Sequence, residues 1–385
     1  MSTTTPQLNA AQMAYAQNQA AKNAILANAV SKKDLLFSST YNPANTPIPS
    51  FVLKQTGLLQ GVLLKVVATV ANTDGALAGN ITGVGAPNII TNITLTDPSN
   101  SQRINTTGMH LYTVDSAKQR TIYGSAFTND NPGSFGGNFK PISAPATIAH
   151  GATGTVVCYY WIPAQYSEDD FRGAIYMGVS SANVTVSFSF NPFVGVAAGA
   201  DPTNAVYIGT ANMSITSAVV TAYQHYWDQI PQNQNGQLML PVQDMGWMYE
   251  LKFTPFGLMT AGFDNPLPLT NARNFLSTML YYNSYPAPAI GTDINYIKLT
   301  AANTYDHWKA DPLTVALRSR FVLGDDLPPG FYWLESRKRP LATAQYGNLA
   351  YYLNPSTANA NNYAVCYYED FAIATLIGGA QSLPS

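Results

Sequence analysis

The chain has 385 residues, 46% hydrophobic and 10% charged, with 19 Lys and Arg against 21 Asp and Glu and a formal net charge of −2. An ordinary soluble domain carries roughly 25% charged residues, so this balance excludes both a basic field for nucleic acid and an acidic disordered chain. The 28 Gly, 25 Pro, 24 Tyr and 16 Phe favour many short strands and turns, and a surface largely shared with neighbours.

No basic stretch followed by an apolar run opens the sequence, and no window offers the roughly 18 apolar residues a membrane span needs, so neither Sec export nor a spanning helix is expected. The N-x-S/T triplets at Asn80, Asn92, Asn105, Asn183 and Asn212 then read as Asn- and Thr-rich strands and loops rather than as glycosylated sites. Residues 6–33 are rich in Ala and Gln, with Leu8, Met13, Ala16, Ala20, Ala24 and Ala27 near one helical face. This spacing predicts one helix from Leu8 to about Val30, about 35 Å long at about 1.5 Å per residue. Its charges before Asp34 are Lys22, Lys32 and Lys33. Two compatible expectations follow: a helix packed under the main body, and an arm facing an anionic bilayer, with those three lysines near the membrane and each contributing about 1 kcal/mol.

Residues 37–50 are expected to form a Pro-rich extended connector. Strands are predicted at 61–70 and 89–96, a turn at 97–100, and a flexible loop at 129–138. The stretch 143–173, SAPATIAHGATGTVVCYYWIPAQYSEDDFRG, holds three units. Gly151 and Gly154 bracket a tight reversal. Residues 155–162 have the uncharged, β-branched and aromatic character of a strand covered on both faces, and Pro163 stops it. Ser167 reads as the cap of a helical turn through Glu168, Asp169 and Asp170, closed by Gly173.

Downstream, Val184, Val186, Phe188 and Phe190 alternate cleanly, so one face of that strand must be buried. Asp201-Pro202 predicts a short helix ending at Gly209. Asp311-Pro312 predicts a longer one through Leu313, Leu317 and Phe321, with Arg318 and Arg320 near its end and Gly324 after it. The pair hints at duplicated architecture. Residues 228–236 have linker chemistry after an aromatic strand at 222–227. Strands are predicted again at 238–242, 274–282, 330–334, 345–353 and 363–368, and from about residue 376 the chain thins into a terminal arm.

Catalytic chemistry is hard to find. His110, His150, His225 and His307 lack partners at ligand spacing, no phosphate-cradling or nucleophile motif is present, and no cofactor or metal is expected. Cys158 and Cys366 lie in aromatic runs and read as small buried thiols. The clusters Glu168-Asp169-Asp170 and Asp325-Asp326 are explained by capping and by a turn rather than as glycosidase carboxylates. Arg337-Lys338-Arg339 reads as a solvated hairpin or as a partner for acids on a neighbouring subunit, too little for a nucleic-acid groove.

Periodicity alone gives two β sandwiches. SAPATIAHGATG followed by YYWIPAQYSEDD, with SAKQ at 116–119, DQIPQNQNG at 228–236, GTDINYI at 291–297 and QYGNLAYYLNP at 345–355 in the same order, resembles the major capsid protein of tectiviruses, icosahedral phages with a membrane inside the protein shell. The resemblance covers most of the chain and fades in loops and termini. It implies an all-β fold with short helices, a tandem double jelly roll preceded by an N-terminal α-helix. The parts would be a helical arm at 1–36, a first jelly roll at 37–230, a second at 231–372 and a C-terminal arm at 373–385. It implies a homotrimeric, pseudo-hexagonal capsomer that tiles an icosahedral shell, with the N-terminal helix near the viral membrane and the C-terminal arm on neighbouring subunits. Partners would be other copies, neighbouring trimers, the membrane surface, and vertex and minor capsid proteins, without direct contact to nucleic acid; the protein would reside in the virion capsid after assembly in the host cytoplasm. Two rivals remain in the sequence: a lectin-like or receptor-binding jelly roll, and a carbohydrate-active enzyme using Glu168 or Asp169.

Overall fold

Asn9 starts the architecture by capping a helix. In the computed structural model, which describes residues 9–42, 50–123, 143–179, 183–284, 291–302, 305–324, 326–346, 348–356 and 362–373, helix α1 (Ala10–Asn28) opens with a reciprocal pair. The Asn9 side chain accepts from the Gln12 amide at 2.8 Å, and the Gln12 side chain accepts from the Asn9 amide at 3.0 Å, which satisfies two of the donors a helix start leaves open.

The first half continues as β1 (Val30–Tyr41), β2 (Phe51–Val52), β3 (Leu58–Asn72), β4 (Gly79–Ile81), β5 (Ile90–Thr96), β6 (Gln102–Thr106), α2 (Gly108–Tyr123), β7 (Thr147–Ile148), β8 (Thr153–Pro163), β9 (Ile175–Tyr176), β10 (Thr185–Phe190), β11 (Gly195–Ala197), β12 (Tyr207–Gly209) and β13 (Met213–Asp228). The second half runs α3 (Val242–Met245), β14 (Trp247–Phe256), β15 (Asn265–Pro268), β16 (Arg273–Asn283), β17 (Ile294–Ala301), β18 (Tyr305–Ala310), α4 (Pro312–Leu323), β19 (Phe331–Glu335), β20 (Leu341–Ala342), α5 (Thr343–Tyr346), β21 (Leu349–Pro355) and β22 (Tyr363–Ile373).

The two halves repeat one topology. In the first, sheets β1-β13-β3-β8 and β2-β10-β5-β6 face each other; in the second, β14-β22-β16-β19 and β15-β21-β17-β18 do the same. Counting the eight main strands of either half, one sheet has the order first, eighth, third, sixth and the other second, seventh, fourth, fifth, with a helix between the fifth and sixth. This is the jelly roll, and it occurs twice. The fifth strand of the first barrel, β6, pairs in parallel with the first strand of the second, β14, through Leu251↔Ile104 and Lys252↔Asn105. One nine-stranded sheet therefore crosses the joint.

Strand alternation builds the cores. On β3, Val62, Leu64, Val66, Ala68 and Val70 are fully buried and the residues between them half-buried, each large inward side chain contributing about 1.5–3 kcal/mol of transfer free energy. The second core gathers Leu267, Leu280, Ile297, Leu299, Leu353 and Cys366. A third, small cluster of Ile25, Leu58, Phe171 and Ala174 seats α1 against the first barrel.

Several expectations change. The helix is present, but its buried face is Asn18, Ala21 and Ile25, while Met13, Ala16, Ala20 and Ala27 are exposed. Strand β1 occupies residues 30–41, so the boundary at residue 36 and the start of the connector at 37 both fall inside a strand. It pairs with β13 along its whole length, and its Lys, Ser and Thr content reflects an exposed sheet edge. Strand β8 alternates: Val156, Cys158, Tyr160 and Ile162 are buried, Val157, Tyr159 and Trp161 only half so, because the sheet is packed on one side. Residues 167–173 form no helix. The Ser167 hydroxyl bonds the Asp169 carboxylate at 2.7 Å and Asp170 takes the Arg172 guanidinium, so the acids are spent on local pairing. Asp201-Pro202 opens no helix either; the Asp201 carboxylate accepts from the Thr203 amide at 2.9 Å in a local turn, and the chain enters β12. Residues 238–242 hold only an isolated bridge from Leu238 to Gln232, then α3. By contrast α4 carries the predicted caps, Asp311 accepting from the Thr314 amide and Gly324 at φ +79°, although Leu313, Leu317 and Phe321 face outward. The loop predicted at 129–138 and the arm from residue 376 lie outside the described residues.

Candidate functional site

The joint between the barrels is built on a buried charge. Glu369, on β22, is fully buried and accepts from Tyr249 Oη at 2.7 Å, Ser277 Oγ at 2.6 Å and the Arg337 guanidinium at 2.6 and 3.0 Å. Lys118 reaches it from α2, its Nζ 3.6 Å from Glu369 Oε1 and 4.2 and 4.1 Å from the Tyr166 and Tyr249 ring centres. Burial alone would raise the Glu369 carboxyl; Arg337, then Lys118 and the two hydroxyls, outweigh it and hold it down at about 2. Burial pushes the Lys118 ammonium down to about 8, with Glu369 opposing. Such a carboxylate stays ionised with its lone pairs engaged, so it is cement rather than an acid or base. Arg337, expected in solvent or on a neighbouring subunit, is thus an internal partner, its side chain 6% exposed.

His110 lies at the same joint. It is fully buried, bonds Thr106 Oγ1 at 2.7 Å, and places its ring 5.3 Å from that of Tyr367; burial pushes its imidazole down to about 3, so it is neutral. Asp201 adds a further tie, accepting from Tyr281 Oη at 3.0 Å and Tyr363 Oη at 2.7 Å on the second barrel.

A second surface is open. On the outer side of β1-β13-β3-β8, pairing register sets Leu35, Tyr223, Leu63 and Trp161 in one row across the strands, and Val219, Val67 and Val157 in another. Leu35 and Val219 are 52% and 40% exposed. Trp161 meets the His225 ring edge-on at 5.1 Å and leans over Gly61, where a Cβ would stand 2.7 Å from its Cζ2 atom. Lys65 lies 5.5 Å from the Tyr159 ring centre. A sheet face this apolar suits a protein partner.

The three lysines singled out from sequence are not brought together. Lys22 pairs with Asp244 at 2.9 Å while the neighbouring Asn18 caps α3, so α1 is pinned to the start of the second barrel. Lys32 pairs with Asp228. Lys33 sits opposite His225 on the outer sheet face and, among the described residues, pairs with no carboxylate. Cys158 and Cys366 are free and buried. Among the described residues no three His, Cys, Asp or Glu side chains form a metal cluster, and no helix is long and apolar enough to cross a membrane.

Sequence reasoning missed Lys118, Tyr249 and Glu369. One signal was available: Glu369-Asp370 interrupts the aromatic run YAVCYYEDFAI, and acids inside a core strand demand partners.

Residues 4–230 match the family described as P3 major capsid protein N-terminal, and residues 247–385 the one described as P3 major capsid protein C-terminal. The chain belongs to the P3 major capsid protein family. It is 34% identical over 376 residues to major capsid protein P3 of Enterobacteria phage PRD1, covering 97% of this chain and 95% of that one. Its fold is similar to the crystal structure of the STIV MCP, with a TM-score of 0.62 at 11% identity, covering 89% of this chain and 97% of the other. It also resembles a chain in the atomic structure of Sulfolobus Turreted Icosahedral Virus, with a TM-score of 0.59 at 12% identity over 89% and 91%. The protein is therefore a major capsid protein, a structural component of the virion rather than an enzyme, and the lectin or spike reading finds no support.

Proposed function

We propose that three copies close into a pseudo-hexagonal capsomer and that many capsomers tile an icosahedral shell around an internal membrane. The observation that carries this reading is the fusion of two barrels of identical strand order through β6 and β14, because three such chains supply six nearly equivalent lobes for a closed ring. Low charge fits as well, since a subunit with most sides in contact keeps few desolvated ions. Class averages of the purified protein in negative stain test it. Six-lobed particles with threefold symmetry are expected, and single two-lobed particles would overturn the reading.

On this reading α1 and the residues before it form the arm on the membrane side, the first barrel begins with β1 at residue 30 and runs to 230, 231–372 is the second barrel, and 373–385 a C-terminal arm on neighbouring subunits. Vertex and minor capsid proteins complete the shell, which assembles in the host cytoplasm and has no direct contact with nucleic acid. With Lys22 and Lys32 paired internally, Lys33 supplies most of the attraction of that region to anionic lipid, about 1 kcal/mol per copy, so adhesion depends on many copies acting together. Assembled protein should float with anionic vesicles, and a chain lacking residues 1–33 should float less. Equal flotation would remove the membrane role of the arm.

A further inference from the structure

A basic turn closes the second barrel at the end where α1 is pinned. Strand β14 begins at Trp247, just after the α3 residue Asp244 that holds Lys22. Pairing runs from Trp247 to Ile373 on β22, from Ala372 to Arg273 on β16, and from Asn274 and Phe275 to Ala342 and Leu341 on β20. On the other side of the turn, Glu335 ends β19 opposite Ser277. Residues 336–340 therefore cap the α1 end of this sheet.

The three basic residues of this turn are not used alike. Arg337 is turned inward onto Glu369, and the backbone is fastened around it. The Ser336 amide donates to the Leu276 carbonyl at 2.8 Å, the Ser336 hydroxyl to the Phe275 carbonyl at 2.9 Å, and the Arg339 amide to the Ser336 carbonyl at 2.9 Å. Lys338 and Arg339 are exposed, and among the described residues neither pairs with a carboxylate. Other cations near this end are spent internally, since Lys22, Lys32 and Arg172 each meet an acid. A fixed turn that leaves two adjacent cations unpaired is a preorganised contact for an anionic partner.

We infer that Lys338 and Arg339 form a second lipid contact of the chain, resting on the phosphate groups of an anionic bilayer surface independently of the N-terminal arm. The inference rests on the capsomer reading, in which the α1 end faces the membrane. In the first barrel the corresponding turn follows the sixth strand, β8, and carries exposed Glu168 and Asp169 instead. The two lobes of one chain thus differ in sign, and adhesion belongs to the second. Those acids on another copy are the rival partner. They are disfavoured because both turns lie at the same end of the molecule, the acidic one holding Phe171 and Ala174 against Ile25 of α1. Copies standing in a shell carry such turns side by side, whereas a surface beneath meets every one of them. Each of three copies presents the basic pair, so weak contacts add.

Flotation of the full chain with vesicles tests this. Wild-type protein should float with phosphatidylglycerol vesicles and not with phosphatidylcholine vesicles, and less so as salt rises. Lys338→Ser combined with Arg339→Ser changes only exposed side chains, so the melting profile and the native mass should stay. Affinity for the anionic vesicles should fall by more than about tenfold, each charge near such a surface being worth about fivefold. Lys338→Arg combined with Arg339→Lys keeps both charges and should float as the wild type does. A wild-type chain that floats with neither vesicle would overturn the membrane reading of the capsomer. A wild type that floats and a Ser double variant that floats equally well would overturn only this assignment. A Ser double variant that floats normally but no longer gathers into arrays of capsomers would overturn it in favour of the acidic turn of another copy.

Discussion

Lys118 of α2 and Glu369 of β22 meet 3.6 Å apart across the joint between the two barrels, with neither exposed to solvent by more than 12%. The pair converts a sheet continuation into a locked junction, since Glu369 is also held by Arg337, Tyr249 and Ser277 from three other places in the second half. Removing the acid strands two buried cations. Glu369→Gln should therefore lower unfolding free energy by about 3–5 kcal/mol in urea titrations, and Lys118→Met should cost less, because Arg337 still neutralises the carboxylate. Equal losses in the two variants would contradict this division.

Adjacent residues on β22 titrate in opposite directions. Glu369 falls from an ordinary 4.5 to about 2, because Arg337 and Lys118 overcome burial; the unfolded chain then binds more protons, and this stability is lost as pH drops from about 4.5 towards 2. Asp370 rises from an ordinary 3.8 to about 6, because burial outweighs Arg273 and Lys252; here the folded chain binds the proton more tightly, and stability declines as pH climbs from about 4 through 6. Melting temperature measured against pH should show both limbs. Glu369→Gln should flatten the acid limb and Asp370→Asn the limb from 4 to 6, the latter raising the melting point at neutral pH. A profile unchanged by either substitution would contradict the assignment.

Gly173 closes the bend after β8 at φ +87°, and a Cβ there would stand 2.7 Å from Tyr249 Cβ and press on the Ala164 carbonyl. Left-handed backbone alone costs a non-glycine residue about 1–2 kcal/mol, and the crowding adds to it. Gly173→Ala should destabilise by more than that figure in chemical denaturation. Gly151→Ala, at φ +67° with open space around it, should cost only the backbone part, so equal effects would count against the crowding argument.

Burial pushes the thiols of Cys158 and Cys366 up to about 12. Neither should react with a thiol reagent in the native protein at neutral pH, and both should react in denaturant. Rapid labelling of the folded chain would show that one of the cores is open.

Much of the fold was legible because jelly-roll strands such as β3, β10 and β16 alternate or carry dense apolar runs. Strand β1 escaped because an exposed edge strand carries Lys, Ser and Thr, and only Leu36, Phe37 and Tyr41 reach the core, too few and too irregularly spaced around the bulge to give a period. Helix α2 escaped because MHLYTVDSAKQRTIY mixes β-branched and aromatic residues with charges, and its burial comes from both barrels rather than from one periodic stripe. The caps of α4 were readable, yet the sign of its apolar face was not: Leu313, Leu317 and Phe321 have helical spacing, and nothing in the spacing says whether they face their own barrel or another molecule. Asp201 misled for a related reason, since an Asx turn and a helix cap use the same carboxylate in the same way over the first three residues. The lysines of the arm were found, but the carboxylates that neutralise Lys22 and Lys32, Asp244 and Asp228, lie far along the chain, and pairing at that range leaves no local trace.

The most direct measurement is the native mass of the purified protein by light scattering after gel filtration. The account predicts a species three times the 41.5 kDa chain that persists on dilution, as an obligate interface requires. A species of one chain at every concentration, or a stable twofold dimer, would contradict it.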